Sequence, residues 1–229
     1  VSVEQLQALA ARARALGRPP APPAPAPRLS IANAAGDRAE VYIYGVIGSD
    51  WFDEDVTAAS FVAELREITA PAIDLHINSP GGLVFDGIAI YSALVNHDAT
   101  VHVHVDGLAA SAASFVAMAG DSVSIEKPAK MFIHDAQGVA WGGPDVMRQM
   151  AELLDELSDT VAAIYADRAG GTVDSWRDAM RDETWYSAAQ AVEAGLADHV
   201  ANDSTAAPDN RRGQTIRARH RARGPRRAA

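Results

Sequence analysis

The sequence predicts an α/β protein built on a mainly parallel sheet. From about position 40, short β-rich runs alternate with stretches of helical period. VHVHVDG at 101–107 changes to an Ala-rich helical run at one point. A single long amphipathic helix fills 144–169. Strands alternating with helices imply crossover connections, and in such sheets the working residues lie at the carboxyl ends of the strands.

The elements follow in order. Residues 1–16 carry Val3, Leu6, Leu9, Ala10, Ala13 and Leu16 at helical spacing, a helix too short to be stable alone. Six prolines in the twelve residues 17–28 exclude helix and central strand, so an extended linker is expected. EVYIYGVIG at 40–48 reads as a strand. Asp53 or Asp55 then caps a helix to about Ile68, with Val56, Phe61, Val62, Leu65 and Ile68 inward. The strand at 73–78 ends in Ser79-Pro80-Gly81-Gly82, a turn leading into a helix with Ile88, Ile90, Tyr91 and Leu94. Val101, Val103 and Val105 alternate with His102, His104 and Asp106. After Gly107 a buried helix carrying Phe115, Val116 and Met118 follows, with Ser111 at its start. Two short strands at 121–126 and 130–134 flank Pro128, and the second ends on His134. Past the loop GVAWGG, Pro144 opens the long helix. Val146, Met150, Leu153, Leu154, Leu157, Val161, Ile164 and Tyr165 form its stripe, and Gly170-Gly171 closes it. Its roughly 39 Å exceed what a small core needs, so it is expected to project. A helix at 172–180, an extended turn at 182–187, a short helix at 188–194 and a strand at 198–201 complete the domain. The expected boundaries are a flexible 1–38, a folded 39–203 and a disordered Arg-rich 204–229.

Composition bounds the chemistry. With 48% hydrophobic and 22% charged residues the 229-residue chain reads as a soluble globular protein. Cysteine is absent, which excludes disulfides, thiol nucleophiles and thiolate metal sites. No signal peptide is expected, and the most apolar window is broken by His102, His104 and Asp106, so no membrane span is expected either. Residues 40–203 hold 27 acids against 7 bases, whereas 208–229 hold eight Arg and one acid. An acidic body argues against non-specific nucleic-acid binding.

Three features converge on acyl transfer. Ser111 stands at a helix start, His134 at a strand end, and Gly81-Gly82 at another strand end of the same sheet. A serine nucleophile, a histidine that takes and returns its proton, an orienting acid and N–H donors for an oxyanion make up that chemistry. The bland alternative for Ser111 is close packing among alanines, and for His134 a bond to a backbone carbonyl. Ser114 reads as a packing residue. His102 and His104 share a strand face but have no third ligand evident, so no metal and no cofactor are expected.

SPGG at 79–82, GLAASAAS at 107–114, MFIHD at 131–135 and ETWYSAAQAVEAGLAD at 183–198 resemble the Clp protease proteolytic subunit (ClpP-like) family. The resemblance covers about 40–201 with the motifs in family order, and within the family it points to the phage head-maturation (prohead) protease branch. It implies a crotonase-like ββα spiral with a long projecting handle helix. It also implies rings of seven subunits, often two rings face to face, around a peptidase chamber. Carried onto this chain, the nucleophile falls on Ser111, the general base on His134 and the oxyanion donors on the N–H groups of Gly82 and Ala112. The orienting acid lies four residues before the Ser of the Ser-Ala motif, which from Ser187 is Glu183, with Asp182 the alternative. The implied partners are peptide or unfolded protein substrates, other copies of the chain and, in the phage branch, capsid or scaffold proteins. The implied location is the cytoplasm or the interior of a prohead. The N-terminal helix and Pro linker depart from the family's axial-loop segment, which argues against docking of an ATP-driven unfoldase. Two other functions compete: a catalytically silent ring or scaffold subunit, and a crotonase-type acyl-CoA enzyme, which would use carboxylates where this chain offers Ser111 and His134. A Ser/Lys mechanism is disfavoured because Lys127 and Lys130 both follow the nucleophile.

Overall fold

In the computed structural model, which describes residues 29–32, 36–48 and 57–201, strict alternation of apolar and polar residues builds a sheet with two unlike faces. Strand β2 (Arg38–Ile47), β3 (Ala72–Gly82) and β4 (Thr100–Ala110) run parallel at its centre. Ile43, Ile73, Leu75, Ile77, Val101, Val103 and Val105 are all buried on one face. The intervening Tyr42, Asp74, His76, His102, His104 and Asp106 are half-exposed on the other, as a two-residue period requires. Helices α1 (Ala58–Arg66), α2 (Val84–Val95) and α3 (Ala112–Ala117) add Phe61, Leu65, Ile90, Leu94, Phe115 and Val116 to the apolar core. At about 25 cal/mol per Å² of apolar surface removed from water, each such large side chain contributes on the order of 2 kcal/mol.

The remaining elements extend this frame. Strand β1 (Leu29–Ala32) pairs antiparallel with β2. Strand β5 (Ser122–Ile125) pairs parallel with the first half of β4, and β6 (Lys130–Phe132) with its last three residues, so the sheet forks along β4. Helices α4 (Pro144–Ala169) and α5 (Val173–Arg181) precede β7 (Trp185–Ser187), which pairs antiparallel with β6. Helix α6 (Ala188–Glu193) and β8 (His199–Val200), parallel to β5, end the described chain. The architecture is the mainly parallel α/β fold expected from the sequence. Among the described residues no helix is long and apolar enough to cross a membrane.

Several local expectations need correction. The sheet begins at Leu29, inside the segment 1–38 expected to be flexible, because 29–32 pairs with the edge of β2. The residues 1–28 and 202–229 lie outside the described residues, as do Asp53 and Asp55. Helix α1 starts later than expected and is capped by Thr57, whose Oγ1 accepts the Ser60 N–H at 3.1 Å. Ser79-Pro80-Gly81-Gly82 is not a turn: β3 runs through it to Gly82, with a register shift between Ile77 and Ser79. Likewise β4 continues through Gly107 to Ala110, so helix α3 is only six residues long. Strand β6 stops at Phe132, two residues before His134. The long helix has the expected limits, with Pro144 in its first turn and Gly170 as its C-cap. Its stripe divides: Leu157, Val161 and Tyr165 are buried, whereas Val146 and Leu153 are 44% and 40% exposed.

Candidate active site

The fork in the sheet builds the site. Because β6 lies in register with the end of β4, Ala110 opposite Phe132, the two chains leave the sheet side by side. The Ser111 N–H donates to the Phe132 carbonyl at 2.9 Å, which holds the turn after β4 against the segment that carries His134. The Ser111 hydroxyl then donates to His134 Nε2 at 2.7 Å, for the neutral imidazole with its proton on Nδ1. The candidate nucleophile and the candidate base therefore meet at hydrogen-bond distance, although 23 residues separate them in the chain.

The turn at Ser111 is tight. Its φ of 52° and ψ of −124° make it one of two non-glycine residues with positive φ among those described, the other being Glu183 at φ 49°. Such conformations cost of order 1–3 kcal/mol and persist where surrounding structure imposes them. Here the imposition comes from β4, β6 and Gly81. A Cβ on Gly81, whose φ is +92°, would lie 2.5 Å from the Ala110 carbonyl oxygen and 2.7 Å from both the Ala112 nitrogen and the Ser111 Cβ. Only glycine lets β3 approach the turn this closely.

The two expected oxyanion donors lie at the end of β3 and at the start of α3. Gly82 ends β3 against β2, where an added Cβ would come within 1.9 Å of the Ile47 carbonyl oxygen. The N–H groups on either side of it are taken: Gly81 donates to Ser79 Oγ at 3.0 Å and Leu83 to the Ile47 carbonyl at 2.8 Å. Ladder N–H groups alternate in direction along a strand, so that of Gly82 points away from β2. Ala112 is the first residue of α3. With six residues, α3 carries only a small dipole.

The acid is the link the structure leaves open. His134 Nδ1 is buried and makes no hydrogen bond. Asp182 is the C-cap of α5, its N–H bonded to the Asp178 carbonyl, and both Asp182 and Glu183 are exposed. The antiparallel register of β6 and β7 sets Phe132 opposite Trp185, and the Ile133 N–H donates to the Thr184 carbonyl at 3.1 Å. The strand pairing ends there, and neither Asp182 nor Glu183 is hydrogen-bonded to the His134 Nδ1. The imidazole is meanwhile stacked on the Phe132 ring at 5.2 Å, and the Trp185 ring lies tilted against Phe132 at 4.5 Å. Next to it, Asp135 joins a cluster in which the buried Arg177 guanidinium also meets Asp155 and Asp159, tying the His134 segment to α4 and α5.

Some of these residues were not singled out by sequence reasoning. Ser79, Phe132, Trp185 and Arg177 carry no spacing signal, because their roles follow from strand register and from helices distant in sequence. His102 and His104 each have side-chain partners: His102 Nδ1 bonds Ser122 Oγ, while His104 bonds Ser124 Oγ and Asp74. No cluster of three or more ligating side chains able to hold a metal occurs among the described residues.

Comparison with known proteins bears on the same region. A family model described as Clp protease matches residues 30–204. The chain is 32% identical over 154 residues to an ATP-dependent Clp protease proteolytic subunit of Bacteroides fragilis, covering 64% of this chain and 74% of that protein. It is 31% identical over 166 residues to proteolytic subunit 2 of Cutibacterium acnes, covering 69% and 77%. A proteolytic subunit 1 of Prochlorococcus marinus is 31% identical over 158 residues, covering 65% and 81%.

Proposed function

The chain belongs to the Clp protease family, and from that membership we propose that it is a serine-type endopeptidase. The observation that carries the serine type is the 2.7 Å hydrogen bond from Ser111 to His134 at the end of β4. In the proposed reaction Ser111 Oγ attacks the scissile carbonyl while His134 Nε2 takes its proton. The N–H groups of Gly82 and Ala112 hold the oxyanion. The proton passes to the leaving amine, the peptide bond breaks, and water, activated by the same imidazole, hydrolyses the acyl-enzyme. Glu183 is the orienting acid. The β6–β7 register, continued past Phe132 and Trp185, supports it over Asp182. In this reading substrate entry, or assembly, brings the Glu183 carboxylate onto the buried Nδ1.

The substrates are short or unfolded peptide segments. They need no ATP-driven unfoldase, and the reading ascribes none to this chain. The working form is a ring of copies, seven or two stacked sevens, joined through α4 and the loop before it. Supporting this are Val139 and Trp141, 93% and 86% exposed, which continue into the exposed apolar half of α4. Cleavage of capsid or scaffold proteins inside a prohead is the setting that the wording of the fourth motif favours. The deciding experiment is labelling with a fluorophosphonate followed by mass mapping of the adduct. The adduct is expected on Ser111 and is expected to vanish in Ser111→Ala. An adduct on any other serine overturns the assignment.

A further inference from the structure

Ser114 was expected to be a packing residue, yet its hydroxyl makes two hydrogen bonds. Its Oγ donates to the Ser111 carbonyl at 2.5 Å, and it lies 2.6 Å from the Tyr165 hydroxyl on α4. A serine hydroxyl has one proton. Spent on the Ser111 carbonyl, it leaves Ser114 Oγ only as an acceptor toward Tyr165, so the chain runs Tyr165 O–H to Ser114 Oγ, and Ser114 O–H to Ser111 C=O. The Ser111 carbonyl also accepts the Ser114 N–H at 2.9 Å. Tyr165 is 1% exposed and Ser114 is fully buried, so water does not compete for these bonds. Burial also pushes the Tyr165 hydroxyl up, so it remains a donor.

The carbonyl so held belongs to the same planar peptide unit as the Ala112 N–H. Fixing the C=O end of that plane fixes the direction of its N–H end, at the turn where Ser111 has a costly φ. Hydrogen bonds accepted at the carbonyl also polarise the amide and strengthen its N–H as a donor. We propose that Tyr165 and Ser114 form a relay that positions the Ala112 N–H as an oxyanion donor, so that seating of the long helix α4 sets the strength of the oxyanion site. Neither is a catalytic residue; both act through the Ser111–Ala112 peptide. The proposal rests on the serine-peptidase reading of Ser111 and Ala112.

The test compares Tyr165→Phe, Ser114→Ala and the double variant Ser114→Ala/Tyr165→Phe. The double variant removes both polar partners together and leaves no buried hydroxyl unpaired, so its fold is expected to survive. Each protein is titrated with fluorophosphonate, and kcat is expressed per labelled site on a fluorogenic peptide. The double variant is expected to lose about 10- to 100-fold in kcat with KM within about twofold of the parent, in line with loss of one well-placed oxyanion donor. Affinity for a peptide boronate, which mimics the tetrahedral state, is expected to fall by a similar factor. The single variants are expected to be non-additive, because both break one chain. A purely structural role would lower the labelled fraction and the melting temperature while leaving kcat per labelled site and boronate affinity unchanged, and that result overturns the relay. Mapping the label separates the two failures. Label on Ser111 with unaffected kcat sinks the relay alone, whereas label elsewhere sinks the reading beneath it.

Discussion

At the residue scale, Ser111 is half-exposed and its side chain makes no capping bond to α3, so removing its hydroxyl costs the fold little. Ser111→Ala is expected to lower peptide hydrolysis by at least about 10³-fold, with circular dichroism and oligomer size unchanged. The acid is tested by a pair of variants. Glu183→Gln is expected to lose about 10²- to 10⁴-fold in kcat, because the imidazolium loses both its stabilising charge and its tautomer, while Asp182→Asn stays near the parent. The reverse order would move the assignment by one residue. Asp74 gives a pH prediction of a different kind. Burial alone would push its carboxyl up, but hydrogen bonds from Arg38 and His104 outweigh that and hold it below its ordinary value. A depressed folded carboxylate contributes stability above the unfolded value, about pH 4, which is lost as pH falls through the lower folded value. Asp74→Asn is therefore expected to be less stable than the parent at neutral pH. The gap in unfolding midpoint should close below about pH 4; a gap that stays constant with pH would contradict this.

At the scale of elements, the end of β3 is the most constrained segment. Gly82→Ala would drive a methyl into the Ile47 carbonyl of β2, and no flexible side chain is there to yield. We expect this variant to lose activity and melting temperature together, unlike Ser111→Ala, which should lose activity alone. Helix α5 offers a milder perturbation. Thr172 and Ser175 form a reciprocal capping box, Thr172 Oγ1 accepting the Ser175 N–H and Ser175 Oγ accepting the Thr172 N–H, each at 3.1 Å. Thr172→Ala is expected to cost about 1 kcal/mol in denaturant unfolding.

At the scale of the whole molecule, α4 is two helices in one. Its second half is core, with Val161 and Tyr165 buried, and its first half shows an apolar stripe to solvent. Met147→Lys, on that exposed half, is expected to shift light-scattering mass toward smaller species with unchanged helicity, because a charge is costly to bury between copies. An unaffected mass would remove α4 as the proposed contact between copies. The relay through Tyr165 predicts that whatever seats α4 also tunes the site.

The order and type of elements were legible in the sequence because they depend on local period: valines alternating at 101–105, the stripe at 144–169, and Pro and Gly at its ends. Ser111 and His134 were legible as candidates, since each follows a strand, and the structure brings their side chains to 2.7 Å. Tertiary structure decided where β3 and β4 end. Pairing with β2 and β6 carries both strands past the glycines that, read locally, should have stopped them. The partners of the site, Phe132 and Trp185, Gly81 against Ala110, and Tyr165 reaching Ser114 from 51 residues away, depend on which strands become neighbours. Such contacts leave no period along the chain, because they are set by sheet register and helix packing and by no property of adjacent residues.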